Sequence, residues 1–298
     1  MASLKYEQQD LQDPIVEPAP PMSLKDIIKR DKDLRKSNKP RKSELIKELR
    51  GNILVIKINR LPSRNALNRN AVYDLIAAIE QATHNKNVKM IVLTGAGEFF
   101  CSGTDLKQLQ EYRDPEDYFF GANYILRSLV KTIIVCPKVI VCLINGPCIG
   151  IGFTLAALCD ICVCTKGAFF QTPFSQLGLC AEACSSYTFT QHFGQSWASK
   201  LLLFGEKLSA EKAEQLGFVT RIYDDLQDVE SRLWPKLMEY AQLPWESVTV
   251  TKSLMRLQHR EQLLKALQAE LKELGRLRRG PVYQKAVADF LQKSKSKL

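Results

Sequence analysis

One stretch limits the possible folds of this chain more than any other. Lys138 to Asp160 reads K-V-I-V-C-L-I-N-G-P-C-I-G-I-G-F-T-L-A-A-L-C-D: a β-branched apolar run, a turn, and a second apolar run rich in helix formers. Val139 to Ile144 has the composition of a strand covered on both faces, so layers must be built on either side of it. Asn145-Gly146-Pro147 ends the strand, and Gly150 and Gly152 permit a close backbone approach. A helix starting near Ile151 leaves its first amides without intrahelical acceptors at the positive end of its dipole, where they suit an oxygen gaining negative charge. The same glycines are equally compatible with a packed turn that only relieves crowding.

The sequence around this stretch alternates strand and helix patterns. I-L-V-I-K-I-N from Ile53 predicts a strand, Arg69 to Gln81 a helix, and K-M-I-V-L-T-G a strand ending at Gly95. Glu116 to Val135 predicts a helix and Asp160 to Thr165 a strand. Ser209 to Gly217 predicts a helix with a Ser N-cap and a Gly stop, followed by a short strand over Phe218 to Tyr223. Helices follow over Leu226–Gln242, Trp245–Leu274 with a break near His259, and Pro281–Lys293. The fold class is α/β with a C-terminal helical region. Three parts are expected: an N-terminal extension over 1–49, largely flexible, a core over 50–257, and C-terminal helices with a tail over 258–298. Within the extension, Ser23 to Asn38 and Ser43 to Leu49 read as short helices, and the whole is a linker or, alternatively, a docking arm.

Charge and cysteine usage exclude several functions. The net charge of +10 is concentrated at the C-terminal end, where residues 250–298 carry twelve Lys/Arg against four Asp/Glu. A phosphorylated cofactor, nucleic acid, or simply solvated helix faces all fit such an excess. The nine cysteines are odd in number and sit mostly in apolar runs, as reduced core residues do. Cys159-Asp160-Ile161-Cys162 lacks a second pair and the three histidines are scattered, so no metal site is expected. No apolar stretch is long enough for a membrane span, because Pro137 and Lys138 interrupt Ile133 to Ile144. Ser296-Lys297-Leu298 forms S-K-L at the end of the sequence, an address for the peroxisomal matrix read by an import receptor.

Phe99 to Leu106, F-F-C-S-G-T-D-L, follows a strand and opens a second turn able to present backbone amides. Four segments in this order, F-C-S-G-T-D-L, I-N-G-P-C-I-G-I-G, P-F-S-Q-L-G-L-C-A-E-A-C-S-S-Y-T-F and L-S-A-E-K-A-E-Q-L-G-F-V, make the chain similar to the crotonase (enoyl-CoA hydratase/isomerase) superfamily, from about Asn52 to about Leu257. The closer likeness is to peroxisomal 3-enoyl-CoA to 2-enoyl-CoA isomerases. The resemblance implies a spiral of ββα units, a homotrimer, and an acyl-CoA substrate held between the two turns. Coenzyme A is then part of the substrate, with no separate cofactor and no nucleic-acid partner.

The resemblance also assigns residues. The backbone N–H groups of Ser102 and Ile151 form the oxyanion hole. Arg60 to Leu67 resembles the family's R-P-x-x-x-N-A-L segment with its proline displaced, which puts adenine near Ala66 and phosphates near Arg64. Gly103, Thr104, Asp105, Leu106 and Gly150 complete the thioester and CoA contacts, with Asp105 capping or structuring its turn. Glu182 lies in a stretch from Phe169 to Phe193 that is otherwise uncharged, surroundings that raise a carboxyl pKa and suit it to accept and return a proton. It also falls where similar isomerases carry their catalytic glutamate, in a P-E-G-C-S-S-Y-T-F-like segment. Here Ala181 replaces the proline and Ala183 the glycine, so a positive φ at that position would strain the loop.

Hydratases of the superfamily use two glutamates, and those positions here are Thr154 and Phe174, neither an acid nor a base. One carboxylate suffices to move a proton from the α- to the γ-carbon of a 3-enoyl-CoA, so isomerisation in fatty-acid β-oxidation is the expected activity. Phe174 is expected in the acyl pocket, or alternatively in the core. The competing readings are a non-catalytic acyl-CoA-binding or corepressor module like the chromodomain-Y-like proteins, and a hydratase of the same fold.

Overall fold

A computed structural model describes residues 43–295 except 113, together with positions 26 and 29. The apolar runs become strands β1 (Leu45–Arg50), β2 (Ile53–Ile58), β3 (Met90–Gly95), β4 (Val139–Ile144), β5 (Cys148–Ile149), β6 (Ile161–Thr165), β7 (Phe169–Gln171), β8 (Leu208–Ser209) and β9 (Ile222–Tyr223). The main sheet runs β1-β2-β3-β4-β6-β9, and β5-β7-β8 form a second, smaller one. Only the β1–β2 pair of the main sheet is antiparallel.

Both faces of the central strands are covered, which explains their unbroken apolar sequence. Ile56, Ile91, Ile140 and Cys142 join the larger core with Leu75 and Ile76 of α1 (Arg69–His84) and Leu129 and Ile133 of α2 (Pro115–Val135). Their neighbours Val55, Val92, Val141 and Val163 point the other way and meet Leu233, Trp234 and Leu237. Side-chain caps set the helix starts: Asn68 accepts from the Ala71 amide at 2.8 Å, and Asp114 from the Glu116 amide at 2.9 Å ahead of Pro115.

The remaining α-helices of six or more described residues are α3 (Ile151–Ala156), α4 (Ser185–Phe204), α5 (Ala210–Gln215), α6 (Trp234–Tyr240), α7 (Trp245–Arg278) and α8 (Pro281–Lys295), and Leu226–Leu233 leads into α6 through a helical and a π-helical turn. Phe153 braces α3 from below, with its ring centroid 4.5 Å from that of Phe189 and 5.1 Å from that of Phe170. Among the described residues no helix is long and apolar enough to cross a membrane.

Three expectations are corrected. Ser43 to Leu49 is not helical: β1 pairs with β2 from Leu45↔Ile58 to Arg50↔Ile53, so the sheet begins inside the presumed extension. Gly51 supplies the positive φ, +58°, that a two-residue hairpin demands. No break occurs near His259, because α7 runs without interruption through the presumed boundary at 257/258, and Leu263, Leu267, Leu271 and Leu274 enter the main core. The return strand is confined to Ile222–Tyr223. The helix expected over Ser23–Asn38 and the Ser296-Lys297-Leu298 tail lie outside the described residues, apart from positions 26 and 29.

Candidate active site

The two turns meet. Cys101 and Cys148 form a parallel β-bridge, with the Ile149 amide donating to the Cys101 carbonyl at 2.8 Å and the Cys101 amide to the Pro147 carbonyl at 3.2 Å. Glycine is required where they touch: a Cβ on Gly152 would stand 2.7 Å from that of Cys101. Gly150 takes φ +55° as the N-cap of α3, leaving the Ile151 amide at the first helical position with no intrahelical acceptor. The Ser102 amide, in contrast, donates to the Arg64 carbonyl at 3.1 Å, and its hydroxyl to the Ser63 carbonyl at 3.1 Å. Arg64 and Asn65 both adopt left-handed backbone (φ +51° and +57°), which folds this loop back onto the turn.

A cavity of about 50 Å³ lies beside the turns. Ile151 and Thr104 come from the turns themselves, and Leu67, Val72, Ile125, Leu126 and Leu129 make an apolar wall from α1, α2 and the approach to α1. Glu182 lines the same cavity, 5% exposed. Burial pushes its carboxyl up to about 7, against the pull of Arg278 and with a small push from Glu270. Among the described lining residues it is the one carboxylate.

The Glu182 loop is strained and clamped. Ala183 (φ +53°) and Cys184 (φ +65°) are both left-handed, as the glycine at this place in similar sequences foreshadowed. Glu270 of α7, 5% exposed, holds them: its carboxylate accepts from the Cys184 amide at 2.7 Å, the Ser186 amide at 2.8 Å and the Ser186 hydroxyl at 2.6 Å. A carboxylate at the start of α4 also complements that helix's dipole.

Other expected residues are placed as follows. Asp105 caps the turn over Leu106–Glu111 and pairs with Arg60 at 2.9 Å, in keeping with a structuring role. Arg64 is exposed over the Phe99 ring at 5.4 Å, Ala66 is buried, and Gly103 takes φ +107° where an added Cβ would stand 3.6 Å from the Ile149 carbonyl. Phe174 is buried but does not line this cavity, whose wall is supplied by α1 and α2 instead. Thr154 is fully buried and its hydroxyl donates to the Ile151 carbonyl at 3.2 Å. Sequence reasoning missed Arg278, Gln108 and Tyr118 in the lining, and Glu270 behind it. A signal existed for two of these: Glu270 and Arg278 fall on the helical stripe of Leu263, Leu267, Leu271 and Leu274.

Fold and site together define a crotonase-type protein, with a parallel-rich sheet, two abutting glycine turns and one carboxylate lining the cavity beside them. The chain belongs to the enoyl-CoA hydratase/isomerase family, whose model matches residues 48–298. It is similar to enoyl-CoA delta isomerase 2 of Rattus norvegicus, 38% identical over 72% of this chain and 54% of that relative. It thus spans about half the length of that relative. It is also similar to peroxisomal enoyl-CoA delta isomerase 3 of Mus musculus, 36% identical over 83% of this chain and 78% of the relative. A solved enoyl-CoA hydratase/isomerase from Pseudoalteromonas atlantica T6c superposes with a TM-score of 0.75 at 32% identity, covering 84% of this chain and 97% of that one.

Proposed function

We propose that this protein is an isomerase that moves the double bond of 3-enoyl-CoA thioesters to the trans-2 position, in the peroxisome and as a homotrimer. One observation carries the reading: a single buried carboxylate, Glu182, lines the cavity that the Ile151 end of α3 enters. Glu182 as carboxylate takes a proton from the α-carbon, and the electron pair moves into the thioester as an enolate. The amides of Ser102 and Ile151 hold the enolate oxygen, each worth roughly 3 kcal/mol in the transition state. The thioester oxygen takes the place of the Arg64 carbonyl as acceptor of the Ser102 amide. The protonated Glu182 then delivers its proton to the γ-carbon, which restores the carboxylate and leaves the conjugated product. Thr154 and Phe174 stand at the positions where hydration needs carboxylates, and among the described lining residues Glu182 has no second carboxylate beside it to activate water. The peroxisomal relative and the S-K-L sequence support the location.

Purified protein given a 3-enoyl-CoA is expected to produce the absorbance of the conjugated thioester. The base must be ionised and its pKa is raised, so kcat/KM falls as pH drops through about 7 and is fully present above it. No conjugated product at any pH, or 3-hydroxyacyl-CoA formed from a 2-enoyl-CoA instead, would refute the assignment.

A further inference from the structure

We infer that Arg278, at the C-terminal end of α7, is a positioning residue that keeps Glu182 oriented and ionised for proton transfer. The inference rests on the isomerase reading. Arg278 is 8% exposed, lines the same cavity as Glu182, and holds its Nη2 3.9 Å from Glu182 Oε2. That separation is beyond a hydrogen bond, so the guanidinium attracts the carboxylate without occupying the lone pair that must receive the proton.

Arg278 is held in place from a second side. Its Nη1 donates to Asn123 Oδ1 at 2.7 Å, and Asn123 Nδ2 donates to the Leu271 carbonyl at 3.1 Å. Asn123 therefore ties α2 to α7 and fixes the guanidinium at once. Gly275 permits this approach, since a Cβ there would stand 3.1 Å from Asn123 Nδ2. A long side chain loses several rotors when ordered, and here the cost is met by contacts unrelated to Glu182. The cation is thus placed before the carboxylate needs it.

Charge balance shows what the placement does. Arg278 and Glu270 face Glu182 from α7, Tyr283 from α8, Tyr118 from α2, Cys101 from the first turn and Cys180 from its own segment, and Arg69 lines the shared cavity. Burial pushes the Cys101 thiol up to about 12 and raises both tyrosines, so these groups stay neutral at working pH. Glu270 adds negative charge, and burial alone drives Glu182 toward the neutral acid, which cannot take an α-proton. Arg278 supplies the opposing pull. A cation that paired elsewhere, or that only complemented the helix end, would contribute stability but would not set the pH at which turnover begins.

The test compares kcat/KM against pH for the full chain and its Arg278→Met and Arg278→Lys variants, with thermal midpoints confirming folding. An opposite charge within about 4–6 Å lowers a carboxylate pKa by about 1–3 units. Arg278→Met is therefore expected to move the acidic limb up by at least about one unit, a roughly tenfold loss below the limb that closes again at high pH. Arg278→Lys moves it the same way by less. If Arg278→Met does not fold, Arg278→Lys carries the test alone. An unmoved limb, or a loss equal at every pH, overturns the inference. Carbon-13 NMR of glutamate-labelled protein, with the Glu182 signal assigned from Glu182→Gln, reads the same shift without turnover. A protein that turns over no 3-enoyl-CoA but shows this shift thus refutes the isomerase reading and not the coupling.

Discussion

Replacing Glu182 with Gln lowers turnover of a 3-enoyl-CoA by about 10³-fold or more, toward the upper end of what one positioned acid–base group contributes. The reaction asks one group to take a proton and return it, and a carboxamide does neither. The substitution keeps side-chain size in a site that is 5% exposed, so the core around it is retained. Dissociation constants for CoA, read by calorimetry, are expected to stay within about threefold, because the proposed adenine and phosphate contacts lie at Arg64 and Ala66. Turnover of Glu182→Gln within about tenfold of the parent would remove Glu182 from the chemistry.

Replacing Glu270 with Gln is expected to cost stability and activity together. The Glu270 carboxylate accepts three hydrogen bonds from Cys184 and Ser186, and a carboxamide turns one acceptor oxygen into a donor that faces another donor. A hydrogen bond to a buried charged group is worth about 1.5–3 kcal/mol, and an orphaned amide adds its own desolvation, giving a loss of about 3 kcal/mol. For a domain of this size the thermal midpoint drops by roughly 6–12 °C. Ala183 and Cys184 lose the contact that holds their left-handed backbone, so Glu182 drifts and turnover falls by up to about 10²-fold. Ala183→Gly in the same background removes about 1 kcal/mol of backbone strain and is expected to recover part of the loss. A midpoint within about 1 °C of the parent would show that the loop holds itself.

Much of this fold and site is legible in the sequence. β2, β3 and β4 declare themselves as apolar runs because both of their faces are covered, and the glycines at 150 and 152 mark a contact between turns that a Cβ would block. β1 was not legible. Leu45-Ile-Lys-Glu-Leu-Arg50 is charged and rich in helix formers, and its identity is decided by pairing with β2, a tertiary effect that overrides local preference. Continuity of α7 was hidden by polar residues around His259, which are exposed yet need no core contact for the helix to propagate. Glu270 and Arg278 were missed for a related reason: in a strongly basic tail a charged residue reads as solvated, although their register places both on the apolar stripe. Phe174 is buried away from this cavity, as the core alternative expects, and the cavity wall is built by α1 and α2.

The most direct test is the crystal structure of this protein with a non-reactive 3-enoyl-CoA analogue bound. The account predicts both the Ser102 and Ile151 amides within about 2.7–3.1 Å of the thioester oxygen. The Ser102 amide will have exchanged the Arg64 carbonyl for that oxygen, and a Glu182 carboxylate oxygen will stand within about 3–3.5 Å of the α-carbon. A thioester bound with the Ser102 amide still on Arg64, or with Glu182 turned away from the acyl carbons, would contradict it.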